Sequence, residues 1–253
     1  MQTLSKARIF NANAIKLLAA LFMVIDHAGL MLFPLDITWR VIGRLSMPLF
    51  AFAIAEGCRY TKNKVKHFFW VFGAGAIFQF CYTLFTRDFY FNIFLTFSFS
   101  ILMIYALFEL KKRLFEKEKF VRLIPAALLF VLSVALPAVV CRIPGVTVDY
   151  GFWGCTLPVF ASLFDFRGID VGDKWRALDC LPLRILCMGV GLAILAWKTS
   201  VLMSFTWVSL LALPILLLYN GEKGKWNMKY FFYIFYPLHL GVLGGIYLLL
   251  YMV

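Results

Sequence analysis

Apolar side chains come in long unbroken runs along this chain, and nearly all of the charge sits in the short stretches between them. Runs with few charges lie at about 12–33, 39–58, 67–86, 92–109, 123–141, 146–164, 181–197, 201–219 and 229–251. Most approach the ~20 residues that carry an α-helix across a bilayer, and they are continuously apolar, whereas the ~10-residue strands of a membrane barrel alternate apolar and polar positions. The pattern predicts an all-α fold, a polytopic integral membrane bundle of about nine transmembrane helices. Pro137, Pro158 and Pro237 fall inside runs, which membrane helices tolerate where neighbouring groups satisfy the freed backbone. The stretch 146–164 is the least regular, because it carries Asp149 and several glycines.

Composition agrees with the pattern. The chain is 63% hydrophobic and 15% charged, against ~45–50% and ~25% in soluble domains, and this excludes an ordinary soluble enzyme. Nine spans would take about 180 residues, which leaves no room for a separate soluble domain in a chain of 253. A single polytopic domain over 1–253 is the expectation.

The formal charge of +12 raises the question of an acidic partner, and its placement answers it. With the amino terminus in the cytoplasm, two Lys and Arg precede the first span, four lie in Arg59–Lys66, six in Lys111–Arg122, four in Arg167–Arg184 and three in Lys223–Lys229, nineteen in all. Five fall outside (Arg40, Arg44, Arg87, Arg142 and Lys198), and Lys16 lies within the first span. The positive-inside rule thus predicts N-in, C-out topology. Removing the crossing at 146–164 would leave 13 inside and 11 outside, so that crossing is kept. The basic segments flank spans, where anionic lipid headgroups account for them, and no nucleic-acid partner is expected. The amino end resembles a signal peptide, but Asp26 and His27 interrupt its apolar run; it reads as an uncleaved first span.

Six cysteines include no Cys-x-x-Cys pair, and the three histidines, at 27, 67 and 239, are far apart. No zinc signature and no metal site is expected. A phosphate-cradling glycine loop and a dinucleotide fingerprint are likewise missing.

What remains is a small set of ionisable residues inside spans, each costing ~2.5 kcal/mol or more at a helix centre and therefore a functional hypothesis. Lys16, Asp26 and His27 share the first span. Lys16 and His27 project from nearly the same face about 16 Å apart along the axis; Lys16 can also snorkel to the cytoplasmic interface, and Asp26 with His27 can simply tie helices together. Arg40 and Arg44 open the second span on one helical face, and Arg44 needs an anion, with Asp26 the expected structural partner. Glu56 is expected to pair with Arg59. In the last span Tyr233, Tyr236 and His239 form a polar stripe beside Pro237, as cavity-lining broken helices do, although His239 could equally be bonded to a backbone carbonyl. His67, among lysines, is expected to be solvated. Asn92, Asp149 and Tyr150 open the fourth and sixth spans on the outer side, where they could receive a polar acceptor, while helix capping also explains Asn92.

Five segments taken together, IKLLAALFMVIDH, GRLSMPLFAF, NIFLTF, DYGFWG and FYIFYPLHL, resemble the TraX family of bacterial membrane proteins, whose namesake is the F-pilin acetylase of conjugation systems. The likeness runs in order through nearly the whole chain. It implies a transmembrane acyltransferase of the bacterial inner membrane that takes an acyl group from cytoplasmic acyl-CoA to an acceptor near the outer face. Carried over residue by residue, the resemblance marks Lys16, Asp26, His27, Gly43, Arg44, Pro48, Asn92, Tyr150, Gly151 and His239; Arg40, Glu56 and Asp149 rest on burial alone. The expected reaction is acetyl transfer from acetyl-CoA to an amine or hydroxyl. His27 is the expected general base with Asp26 fixing its tautomer, and Arg44 or His239 steadies the oxyanion. Lys16, Arg44 and Tyr236 are expected to hold the donor, and Arg40, Asn92, Asp149 and Tyr150 the acceptor. A proton-coupled small-solute transporter is the competing reading, since an intramembrane Asp, His and Arg set suits it too; against it, the sequence carries no internal repeat of the kind many transporters have.

Overall fold

The computed structural model describes residues 9–116, 120–199, 204–226, 228 and 230–251. The fold is nearly all-α, with 76% of the described residues helical. Among the described residues, seven helical segments are long and apolar enough to cross a membrane: Ala12–Met31, Ile37–Tyr60, Lys64–Leu84, Ile93–Phe115, Val121–Val140, Leu181–Thr199 and Phe231–Tyr251. The other two expected spans, 146–164 and 201–219, hold shorter apolar helices, Gly151–Phe160 and Phe205–Leu217, with 201–203 outside the described residues. The chain divides into two compact units, Met1–Ala53 with Leu192–Val253, and Ile54–Gly191.

The first unit is built on α1 (Ala12–Met31), which starts where the Asn11 side chain accepts from the Ala14 N–H at 3.0 Å. A short helix α2 (Ile37–Gly43), capped by Asp36, returns along it and stops at Arg44 before α3 (Ser46–Tyr60) begins. Ser46 donates to the Ala19 carbonyl at 2.8 Å. The expected span at 39–58 is therefore two helices with a break at Arg44–Leu45. At one end of the unit Phe10 bridges to Tyr219 and the Ala12 N–H donates to the Glu222 carbonyl at 2.8 Å. The last helix, here α11 (Phe231–Tyr251), runs in the direction of α1, and its Tyr251 hydroxyl reaches the Leu32 carbonyl at 2.8 Å.

Between them a 3₁₀ helix (Ser204–Leu211) continues into α10 (Ala212–Leu217). The Arg44 guanidinium lies over the Phe205 ring near the start of this stretch, and Tyr219 pairs with Phe10 at its end. The path therefore runs opposite to α1. A 3₁₀ helix rises ~2.0 Å per residue against ~1.5 Å for an α-helix, so the two pieces together cover about 25 Å.

The second unit holds α4 (Lys64–Thr86), α5 (Ile93–Phe115), α6 (Phe120–Val140), α7 (Gly151–Phe160) and α8 (Asp173–Leu178), with the end of α3 and the start of α9 (Leu181–Thr199). At one end two short strands, β1 (Phe89–Phe91) and β2 (Val146–Val148), pair in parallel, Phe89 opposite Val146. At the other, Arg59 meets Asp165 and Asp179. Contacts to α5 occur in chain order: Thr96 donates to the Asp149 carbonyl at 3.0 Å, Ser100 to the Cys155 carbonyl at 2.6 Å and Lys111 to the Asp165 carbonyl at 2.6 Å. The stretch 149–165 therefore runs the length of α5 in the same direction, although α7 itself is only 10 residues. It brings the segment after Asp165 back to the end that carries Arg59 and Lys111, as the charge count required.

Large apolar side chains stay exposed along whole helices, among them Val121, Leu128, Leu132 and Val139 on α6 and Leu238, Val242 and Leu249 on α11. Continuous apolar faces of this extent suit a lipid bilayer rather than water.

Candidate active site

Asp26 and His27 lie in the last turns of α1, where successive side chains point about 100° apart, so they face different neighbours. His27 turns to α11. Its Nδ1 is 2.7 Å from Nε2 of His239, and the two rings stack with centroids 5.0 Å apart. The Nδ1 of His239 lies 2.9 Å from the Phe235 carbonyl one turn earlier. Tyr236 packs edge-on against both rings, 6.5 Å from His27 and 5.6 Å from His239. His239 and Tyr236 are buried and His27 is half-buried.

This chain of contacts fixes protons when both rings are neutral. A carbonyl only accepts, so His239 must carry its proton on Nδ1 and present a lone pair at Nε2. That lone pair accepts the N–H of His27 Nδ1, which leaves the lone pair of His27 on Nε2, free to take a proton. Both nitrogens of His239 are thereby spent, and it has no donor left for an oxyanion.

Asp26 turns the other way. Its Oδ2 accepts from Arg40 Nη1 at 2.6 Å, and the same nitrogen lies 3.2 Å from the Asp26 carbonyl. Asp26 is ion-paired with Arg40, and Arg44 bears on the same carboxylate; the ring that meets His27 Nδ1 is that of His239. Arg44 closes the last turn of α2, its N–H donating to the Arg40 carbonyl at 3.2 Å; buried, it stacks its guanidinium 5.1 Å over the Phe205 ring and also bears electrostatically on Asp26. Gly43 makes the close packing possible. A Cβ there would stand 2.3 Å from Asp26 Cβ.

Lys16 is half-buried nearer the other end of α1, and the charge that bears on it is a second cation, Lys223. Among the described residues it has no hydrogen bond and no ion pair. Two adjacent cations without a carboxylate suit an anionic ligand.

The expected acceptor residues of the second unit lie around the start of α5 and α7. Asn92 is fully buried, caps α5 through Phe94 N–H and donates to the Gly75 carbonyl at 2.9 Å. Asp149 accepts the Tyr90 hydroxyl at 2.8 Å. Tyr150 adopts a left-handed backbone with φ 59° at the start of α7. Glu56 pairs with Arg184 at 2.7 Å rather than with Arg59, whose guanidinium takes Asp165 and Asp179. His67, expected to be solvated, is half-buried, with its Nδ1 2.7 Å from the Tyr105 hydroxyl. The Arg59, Asp165, Asp179 and Lys111 network went unforeseen; its only sequence signal is that acids are interspersed with the basic residues of 165–184.

Residues 11–247 match the family described as TraX protein. The chain belongs to the TraX family. All of the residues just described in the first unit, from Lys16 to His239, lie within the matched region. Similarity extends to a protein of Dichelobacter nodosus named probable fimbrial assembly protein FimC, serogroup H1, at 25% identity over 92% of this chain and 94% of that protein. No solved structure matches. Neither the TraX family nor this relative points to solute transport.

Proposed function

We propose that this TraX-family chain is a membrane-embedded acyltransferase of the bacterial inner membrane that moves an acetyl group from cytoplasmic acetyl-CoA to an amine or hydroxyl near the outer face. The observation that carries the reading is the histidine pair: the Phe235 carbonyl holds His239, His239 holds His27, and His27 Nε2 is left as a base. The acceptor attacks the thioester carbonyl carbon while His27 Nε2 takes its proton. The new C–N or C–O bond forms, the C–S bond breaks, and the departing thiolate takes the proton back from the imidazolium. Arg44, buried beside Asp26, is the residue suited to steady the oxyanion, because His239 has no donor to spare. Lys16 and Lys223 suit the phosphates of the donor, about 16 Å along α1 from His27. The relative named for fimbrial assembly makes a surface-fibre subunit the first acceptor to test.

The test is transfer of labelled acetyl from acetyl-CoA in membranes of the native bacterium, which supply the acceptor. Wild-type protein should label it, and His27→Ala, present at equal amount and with an unchanged unfolding midpoint, should not. Equal labelling by both would overturn the assignment.

A further inference from the structure

A second polar site lies in the other unit, at the end where α3 meets α4. A cavity of accessible volume ≈ 110 Å³ is walled by Arg59, Lys64, Phe108, Lys111, Asp165 and Arg167 among others. Four cations thus surround it, against the carboxylates of Asp165 and Asp179, and the way each is engaged decides what the cavity can take.

Arg59 is committed. Its Nη1 meets Asp165 at 2.7 Å and Asp179 at 2.6 Å, and its Nη2 meets Asp179 at 3.1 Å. The same carboxylates also accept backbone N–H groups, Asp165 that of Arg167 at 3.0 Å and Asp179 that of Phe166 at 3.1 Å. Lys111 is committed as well, since its three donors go to the carbonyls of Ser162, Leu163 and Asp165 at 3.0, 3.3 and 2.6 Å.

The other two cations are held by aromatic faces alone. Lys64 Nζ sits 3.6 Å over the Phe108 ring and the Arg167 guanidinium 4.1 Å over the Tyr60 ring. Glu109, the acid that bears on Lys64, is paired with Arg113 one turn along α5. Among the described residues neither Lys64 nor Arg167 spends a side-chain N–H on a protein acceptor. A ring face balances charge but takes no directed hydrogen bond. The cavity therefore carries two net positive charges and two sets of unspent donors at its rim, with Arg167 exposed where the rim meets the surface. Its volume admits a phosphate group and not a nucleotide.

We propose that this cavity binds the phosphate group of an anionic ligand, gripped by Lys64 and Arg167, as a site separate from the histidine pair. The chemistry is shared by a free phosphate and by the headgroup of an anionic phospholipid, and the experiment separates them. Full-length wild type, Lys64→Gln, Arg167→Gln and the double variant are compared by thermal unfolding. One arm titrates inorganic phosphate in neutral detergent at constant ionic strength; the other uses vesicles of phosphatidylcholine with and without phosphatidylglycerol. Lys174→Gln, an exposed cation at the same end of the unit, is the charge control.

Each single variant should raise the half-saturating phosphate concentration about tenfold, the size of one lost charge-assisted hydrogen bond, with the control unchanged. Stabilisation of wild type over the double variant only in phosphatidylglycerol vesicles would also support the site and assign it to a headgroup. If wild type and double variant respond alike in both arms, or Lys174→Gln loses as much as they do, the proposal fails. None of these readouts uses acetyl transfer, so failure here leaves the acyltransferase reading untouched, and the converse holds.

Discussion

His239 is set by a backbone atom. Because the Phe235 carbonyl accepts from its Nδ1 at 2.9 Å, the other nitrogen must accept, and the proton on His27 is placed in turn. This makes His239 a positioning residue. His239→Leu should lower kcat by about 10²–10⁴ while the KM for acetyl-CoA moves little, since only the base is misaligned. His239→Gln, whose amide oxygen can still accept from His27 Nδ1, should recover part of the loss; equal kcat in the two variants would mean that His239 only fills space. Gly43→Ala forces a methyl against Asp26 Cβ at 2.3 Å, and should destabilise by about 1–3 kcal/mol, read as a lower unfolding midpoint in detergent. The sequence marked His27, Asp26, Arg44 and His239 because polar groups in apolar runs stand out. It could not assign their partners. Arg40 and Arg44, four apart, share the face that meets Asp26, and only the fold shows that Arg40 makes the ion pair while Arg44 also lies against the Phe205 ring.

At the scale of elements, two of the apolar runs show why run length and helix length are different quantities. The apolar run at 146–164 holds a 10-residue helix, extended by turns, yet its contacts follow α5 from Thr96 to Lys111. The run at 201–219 gains reach through its 3₁₀ portion. Hydropathy reads both as spans because side chains, not backbone pitch, set it. Asn92 belongs to the same scale, since it caps α5 and ties it to α4 at the Gly75 carbonyl. Asn92→Ala should cost about 1–2 kcal/mol from the cap and lower the unfolding midpoint, with turnover at low temperature intact. Loss of turnover without loss of stability would return Asn92 to the acceptor site.

Across the whole molecule the charge distribution makes a topological prediction. Cys141 follows α6 beside the β1–β2 end of the second unit, and Cys180 precedes α9 beside the Arg59 end. In single-cysteine variants of intact cells, a membrane-impermeant maleimide should label Cys141, and should label Cys180 only once the cells are permeabilised. The reverse pattern would invert the topology. Burial pushes the Cys141 thiol above its usual range, with Arg142 pulling partly back. Because the thiolate reacts, Cys141 labelling should accelerate as pH rises through the alkaline range.

The sequence by itself determined the helical membrane class, the apolar runs, the clustering of basic residues between them and which ionisable residues interrupt them. These depend on transfer of side chains from water to lipid, a property each segment carries alone. Tertiary structure decided the pairings, His27 with His239, Asp26 with Arg40 and Glu56 with Arg184. Those depend on how helices cross and on one missing Cβ, which bring together residues far apart in the chain and leave no trace in local hydropathy.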